Sequence, residues 1–161
     1  MNKIQSLLFI IFFLLSANVF AQKNLSNKLV WASGTFSPEY VYSVNSMNDG
    51  EHFSALKENK IEKYSYKSFG ESLTTILDGN ALLFNKENIE IDDYFFNSDE
   101  TKVLLATNMV SIYRRSFTAN YFIVDLKTKD IIQLSDKGPQ QLADFSPDGS
   151  KVGYVLQNNI Y

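Results

Sequence analysis

Arg114 and Arg115 are the only arginines in a chain that otherwise uses lysine thirteen times. They stand side by side in Tyr113-Arg114-Arg115-Ser116-Phe117-Thr118. A guanidinium is planar, always charged and forked, so it suits a carbonyl or carboxylate better than the compact charge of lysine does. The plainer alternative is a solvated strand end, with the arginines paired to Asp92, Asp93 or Asp125. Neighbours on a strand point to opposite faces, so at most one of the two would meet a given ligand. Other groups offer less chemistry. His52 is the single histidine and follows an Asp-Gly turn, with no second histidine to share a metal. Asp92 and Asp93 are adjacent and read as a turn or strand end rather than a catalytic pair. The chain has no cysteine, which excludes thiol catalysis, thiolate-bound metals and disulfides. No G-x-S-x-G elbow, phosphate loop or dinucleotide fingerprint occurs. No catalytic residue, metal ligand or cofactor site is assigned.

What positions the arginines is a repeat. Asn48-Asp49-Gly50-Glu51-His52-Phe53, Ser98-Asp99-Glu100-Thr101-Lys102-Val103 and Pro147-Asp148-Gly149-Ser150-Lys151-Val152 each place a turn before a strand-like apolar run. Their aspartates lie 50 and 49 residues apart. Asp and Gly tolerate the left-handed backbone that such turns require. In the first and third copies an Asn follows ten residues after the aspartate (Asn59 and Asn158), but in the second the comparable Asn120 lies 21 beyond Asp99. About eleven extra residues therefore sit around 107–119, and they hold both arginines. Insertions in a scaffold often carry function.

Between the turns, 61–67, 73–77, 89–96, 121–125 and 131–134 are β-branched or aromatic runs bounded by polar residues. Val103-Leu104-Leu105-Ala106 is apolar on both faces and reads as a strand covered on both sides. No segment carries a capped helical stripe. Four short strands per repeat of 40–50 residues describe a β-propeller blade, so the expected fold is all-β, about three blades of a larger propeller. The alternative is a β-sandwich with coincidental Asp-Gly turns. Closed propellers have roughly 4–8 blades, so the sequence reads as the front part of something longer.

The first 21 residues stand apart. Lys3, the apolar run from Ile4 to Leu15 and the Val19-Phe20-Ala21 cleavage pattern describe a secretory signal peptide. The run is short for a spanning helix, which needs about 20 residues; an uncleaved membrane anchor is the alternative. The expected domains are 1–21, signal peptide, and 22–161, the propeller part, in an exported periplasmic or secreted protein. The 161 residues carry a formal charge of −3, 45% hydrophobic and 14% aromatic residues. That composition fits a folded β-rich chain and offers no basic stripe for nucleic acid.

The stretch from Met109 to Asp125 resembles the arginine segment of the dipeptidyl peptidase IV family, and Ala143 to Val152 resembles its following blade. Trp31-Ala32-Ser33-Gly34-Thr35-Phe36 and 44–50 are similar to the opening of its bacterial members. The resemblance implies an eight-bladed propeller over an α/β-hydrolase domain, part of an exported serine exopeptidase that releases dipeptides after a penultimate Pro or Ala. It implies that Arg114 binds a carbonyl oxygen of the substrate's N-terminal dipeptide; it carries no role for Arg115. The implied partners are a peptide substrate, the hydrolase domain and a second copy of the full-length protein. The family's glutamate pair and Ser, Asp and His triad have no counterpart here, so this chain alone is expected to be inactive. Two readings compete: a non-catalytic peptide- or protein-binding propeller, and a prolyl tripeptidyl peptidase.

Overall fold

The computed structural model describes residues 25–37, 43–68 and 70–161, so the signal-peptide reading lies outside the described residues. The chain divides into two compact units, Met1–Glu39 and Tyr40–Tyr161. Described in the first is a single short helix, α1 (Asn27–Trp31), whose N-cap Ser26 accepts a hydrogen bond from the Leu29 N–H at 3.1 Å.

The second unit is built of antiparallel β-sheets. β1 (Asn45–Ser46), β2 (His52–Lys57), β3 (Lys60–Ser65) and β4 (Thr74–Asp78) pair in chain order as blade I. A small hairpin follows, β5 (Leu83–Phe84) with β6 (Glu87–Asn88). Blade II has the same order in β7 (Asp93–Phe96), β8 (Lys102–Tyr113), β9 (Ser116–Asp125) and β10 (Ile131–Gln133). Blade III contains β11 (Gln141–Phe145), β12 (Val152–Leu156) and β13 (Asn159–Ile160). The protein is a partial β-propeller.

The three repeat aspartates occupy one turn, made three times. Asp49 Oδ1 accepts from Glu51 N, Asp99 Oδ1 from Thr101 N and Asp148 Oδ1 from Ser150 N, at 3.0, 3.3 and 3.1 Å. The residue after each aspartate is left-handed: Gly50 (φ 68°), Glu100 (φ 55°) and Gly149 (φ 66°). Its N–H donates back to Met47, Asn97 or Ser146. Glu100 thus holds a conformation natural to glycine. In exchange its carboxylate accepts the Asn48 N–H of blade I at 2.6 Å, and Asn48 Nδ2 donates to Ser98 O at 2.8 Å.

Val103, Leu104, Leu105 and Ala106 of β8 are fully buried, as their apolarity on both faces predicts. Val103 and Leu105 pack with Ile61, Leu77 and Tyr94 toward blade I. Leu104 and Ala106 pack with Tyr121 and Ala143 toward blade III. Tyr94 ties the first two blades further, since its hydroxyl donates to Ser54 Oγ at 2.7 Å.

One expected strand is shorter than the sequence suggests. Ile89 and Ile91 are buried but lie before β7 rather than in a ladder. Their backbone groups are taken by a side chain: Asn59 Nδ2 donates to Ile89 O at 2.9 Å, and Asn59 Oδ1 accepts from Ile91 N at 2.8 Å. A β-branched run marks burial here, and an amide replaces the strand partner.

Candidate functional site: the arginine arm

The second hairpin of each blade starts alike. In blades I and III it closes through two left-handed residues, Glu58-Asn59 (φ 50° and 62°) and Gln157-Asn158 (φ 50° and 63°). Such turns match the twist of the strands they join. In blade II the β8–β9 ladder runs regularly from Lys102↔Asp125 to Thr107↔Asn120, shifts register, and resumes at Val110↔Thr118 through Tyr113↔Ser116. Residues 108–119 form an arm beyond the blade. Six residues of β8 at strand rise carry its tip about 20 Å from the Thr107–Asn120 pair.

The inserted segment foreseen from the repeat is therefore this arm, but two details differ from the sequence reading. Asn120 is not the structural counterpart of Asn59 and Asn158; it lies inside the ladder opposite Thr107, and the insertion ends just before it. Arg114 and Arg115 are not on a strand either. They form the connection between β8 and β9, so strand alternation does not separate them.

Among the described residues neither arginine has an ion-pair partner, and both are exposed. The suggested carboxylates are otherwise engaged. Asp125 Oδ1 caps Lys127 N and Thr128 N at 2.9 Å each. Asp93 Oδ1 accepts from Tyr94 N at 2.9 Å, and Asp92 Oδ2 accepts from Met109 N at 2.8 Å. The tip is consequently a double cation with its hydrogen-bonding capacity open. Tyr113 beside it is 80% exposed, and Val110 and Ile112 along the arm are exposed as well.

A groove of about 430 Å³ separates the arm from blade III. Arg115, Ser116 and Phe117 line it from the arm, Gln141, Leu142 and Asp144 from β11, and Phe95 and Tyr121 from blade II. It opens where β11 bulges: the register shifts between Gln141 and Asp144, and Leu142 turns outward in a left-handed conformation (φ 53°). Burial pushes the Tyr121 phenol up, so it stays neutral across the physiological range. Arg115, to which the sequence carried no role, thus stands on the groove wall, whereas Arg114 stands at the exposed tip.

Asp99 and Arg114 end β8 at opposite ends, so the aspartate turns and the arginine tip lie on opposite sides of the sheets. His52 belongs to the aspartate side. Its Nδ1 is 2.6 Å from Asp49 Oδ2, which also takes Lys63 Nζ at 3.1 Å. Hydrogen bonds from Glu51 N and His52 hold the Asp49 carboxyl well below the usual carboxylate range. This trio closes a turn and is remote from the arm.

Residues 97–161, which contain the arm and blade III, match the family described as the dipeptidyl peptidase IV (DPP IV) N-terminal region. The solved structure of Porphyromonas gingivalis dipeptidyl peptidase 4 superimposes with a TM-score of 0.69 at 30% identity, over 86% of this chain and 20% of that one. This chain carries the N-terminal β-propeller region of a dipeptidyl peptidase IV family protein. It is 30% identical over 120 residues to dipeptidyl peptidase 4 of Trichophyton rubrum, covering 73% of this chain and 15% of the relative. It is 31% identical over 130 residues to prolyl endopeptidase FAP of Homo sapiens, covering 80% and 16%. The chain thus spans about a sixth of the length of these family members.

Two contributors to the site escaped the sequence reading. Asp92 was read as a turn or strand-end residue or an ion-pair partner of the arginines, not as a support for the arm, and Gln140 was not singled out at all. Gln140 is fully buried beneath the arm; it pairs with Ala119 through both backbone groups, at 2.9 and 2.8 Å, and its Oε1 accepts from Tyr121 N at 3.2 Å. A glutamine in a polar, Gly-Pro-containing segment carries no local signal of such a role.

Proposed function

We propose that this propeller region binds the peptide substrate of an exported serine exopeptidase that releases N-terminal dipeptides after Pro or Ala, with Arg114 as the group that holds a substrate carbonyl. The observation that carries the reading is the arm: an insertion at one point of an otherwise regular repeat, tipped by two arginines that have no ion-pair partner among the described residues. A fixed cation of this kind orients a carbonyl and helps to place the scissile bond against a nucleophile supplied elsewhere. The nucleophile, its base and the oxyanion hole come from the hydrolase domain of the whole protein in this reading, and residues 1–21 direct export.

The match to a prolyl endopeptidase as strong as that to a dipeptidyl peptidase supports a second reading, cleavage after proline within longer peptides. The test is steady-state kinetics on the full-length protein, with free and N-blocked proline substrates. Arg114→Ala is expected to lower kcat/KM by about a hundredfold, the scale of losing one charge-assisted contact at a reacting group. Arg114→Lys is expected to be impaired too, and Arg115→Ala less so. Equal, small effects at both positions overturn the role of Arg114. Turnover of the blocked substrate selects the endopeptidase reading.

A further inference from the structure

We propose that Asp92 and Gln140 are positioning residues that set the direction of the arginine arm. The inference rests on the reading of the arm as a substrate-binding element and adds what aims it.

A two-stranded ribbon has little stiffness of its own. This one leaves Val110 63% and Ile112 43% exposed, and only Met109 at its base and Phe117 part-way along it pack against the core between blades II and III. With so little packing beyond Phe117, its direction depends chiefly on its base. There β8 passes through Asn108, left-handed at φ 52°, and the register shifts between Thr107 and Val110. The shift frees the Met109 N–H from the ladder, and Asp92 Oδ2 takes it at 2.8 Å. Asp92 is itself anchored to the strand below the kink, its own N–H donating to Ala106 O at 2.9 Å. One residue therefore bridges positions 106 and 109 and fixes the angle between them.

The other strand has its own bridge. Ala119, the last arm residue of β9, pairs with Gln140, while the Gln140 side chain accepts from Tyr121 N. The Gln140 amide nitrogen donates to Gly138 O, which immobilises the side chain. Positions 119 and 121 are thus held by one fully buried residue. The two bridges meet the ribbon at the same level, on either side of the Thr107–Asn120 pair. The leverage is large. With the tip about 20 Å away, a tilt of about 10° at the base displaces the arginines by about 3.5 Å. A displacement of about 1 Å already degrades a reactive geometry.

The test uses the full-length protein. This chain has no cysteine, so once any cysteines elsewhere in the full-length protein are replaced by serine, Ile112→Cys on the arm and Asn159→Cys on blade III provide attachment points for a pair of spin labels, read by pulsed dipolar spectroscopy. The labelled protein with Asp92 and Gln140 intact should give one narrow distance distribution. Asp92→Ala should broaden it and lower peptidase kcat/KM about five- to tenfold, the factor supplied by one hydrogen bond of ordinary strength. Asp92→Asn keeps an acceptor oxygen and should restore both the narrow distribution and the rate, with the melting temperature unchanged throughout. Asp92 is exposed, so these variants should fold. Gln140→Ala should broaden the distribution as well. An unchanged distribution in Asp92→Ala, a failure of Asp92→Asn to restore it, or a broadened arm with an unchanged rate each overturns the proposal. Failure of the substrate-binding reading shows separately, as an Arg114→Ala enzyme of full activity.

Discussion

The second hairpins of blades I and II occupy the same slot in the repeat and are built for opposite ends. In blade I the strands stop at Glu58-Asn59, and the turn faces inward: Asn59 satisfies Ile89 and Ile91, and its carbonyl accepts the Gly79 N–H at 2.9 Å. In blade II the strands continue, and the connection faces outward with two cations. The first turn uses the Asn59 amide and its backbone carbonyls to hold neighbouring segments. The second leaves its two guanidinium groups without an ion-pair partner among the described residues. One slot thus holds a cohesive turn or an exposed arm according to hairpin length.

The contrast is tested first at its strongest point. Asn59→Ala should cost about 3 kcal/mol, because it strands two backbone groups and leaves a Cβ residue in the left-handed region. Asn59→Gly should cost about 1 kcal/mol less, because glycine accepts that backbone. Denaturant unfolding measures both, and equal costs would show that the conformation contributes nothing. Gly79→Ala follows at about 2 kcal/mol, since its Cβ would lie 2.7 Å from Asn59 O.

A smaller effect concerns Glu100. Glu100→Ala should lose about 1 kcal/mol, for the lost bond to Asn48 N at an unrelieved left-handed position, whereas Glu100→Gly should be near neutral because relief of strain offsets that loss. A Gly variant as unstable as the Ala variant would show that the inter-blade bond dominates. On the arm, Ile112→Ser should change stability by less than about 0.5 kcal/mol. A larger loss would mean that the arm contributes to cohesion after all.

Acid sharpens the same contrast. Hydrogen bonds from Ser146 and Ser150 lower the Asp148 carboxyl from 3.8 to about 2, and those from Thr101 lower Asp99. A carboxylate depressed in the folded state stabilises it above the unfolded value, and this stability is lost as pH falls through the folded one. Melting temperature should therefore drop between about pH 4 and pH 2. Asp148→Asn should flatten that dependence, while Arg114→Ala should leave it unchanged.

Much of this architecture was written locally. The 50- and 49-residue spacing of Asp49, Asp99 and Asp148 located the first turn of every blade, because an Asx turn followed by a left-handed residue needs few residue types. The inserted segment was legible as a break in that spacing, and the arginines as its odd composition. The arm's mounting was not. Asp92 lies 17 residues from Met109 and Gln140 lies 19 from Tyr121, and such bonds exist only once the sheets have formed. The turn position of Arg114 and Arg115 was missed for a related reason: neither is a typical turn former, and register rather than propensity puts the bend there. The β5–β6 hairpin was missed because it is two residues a side.

The buried strand at the centre of blade II has a further consequence for how the blades depend on one another. β8 needs cover on both of its faces, from Ile61 and Leu77 on one and from Ala143 on the other. Blade II therefore has one flank covered by residues that precede it in the chain and the other by residues that follow it. Cohesion here is a matter between neighbours, so each blade is as secure as the flanks on either side of it.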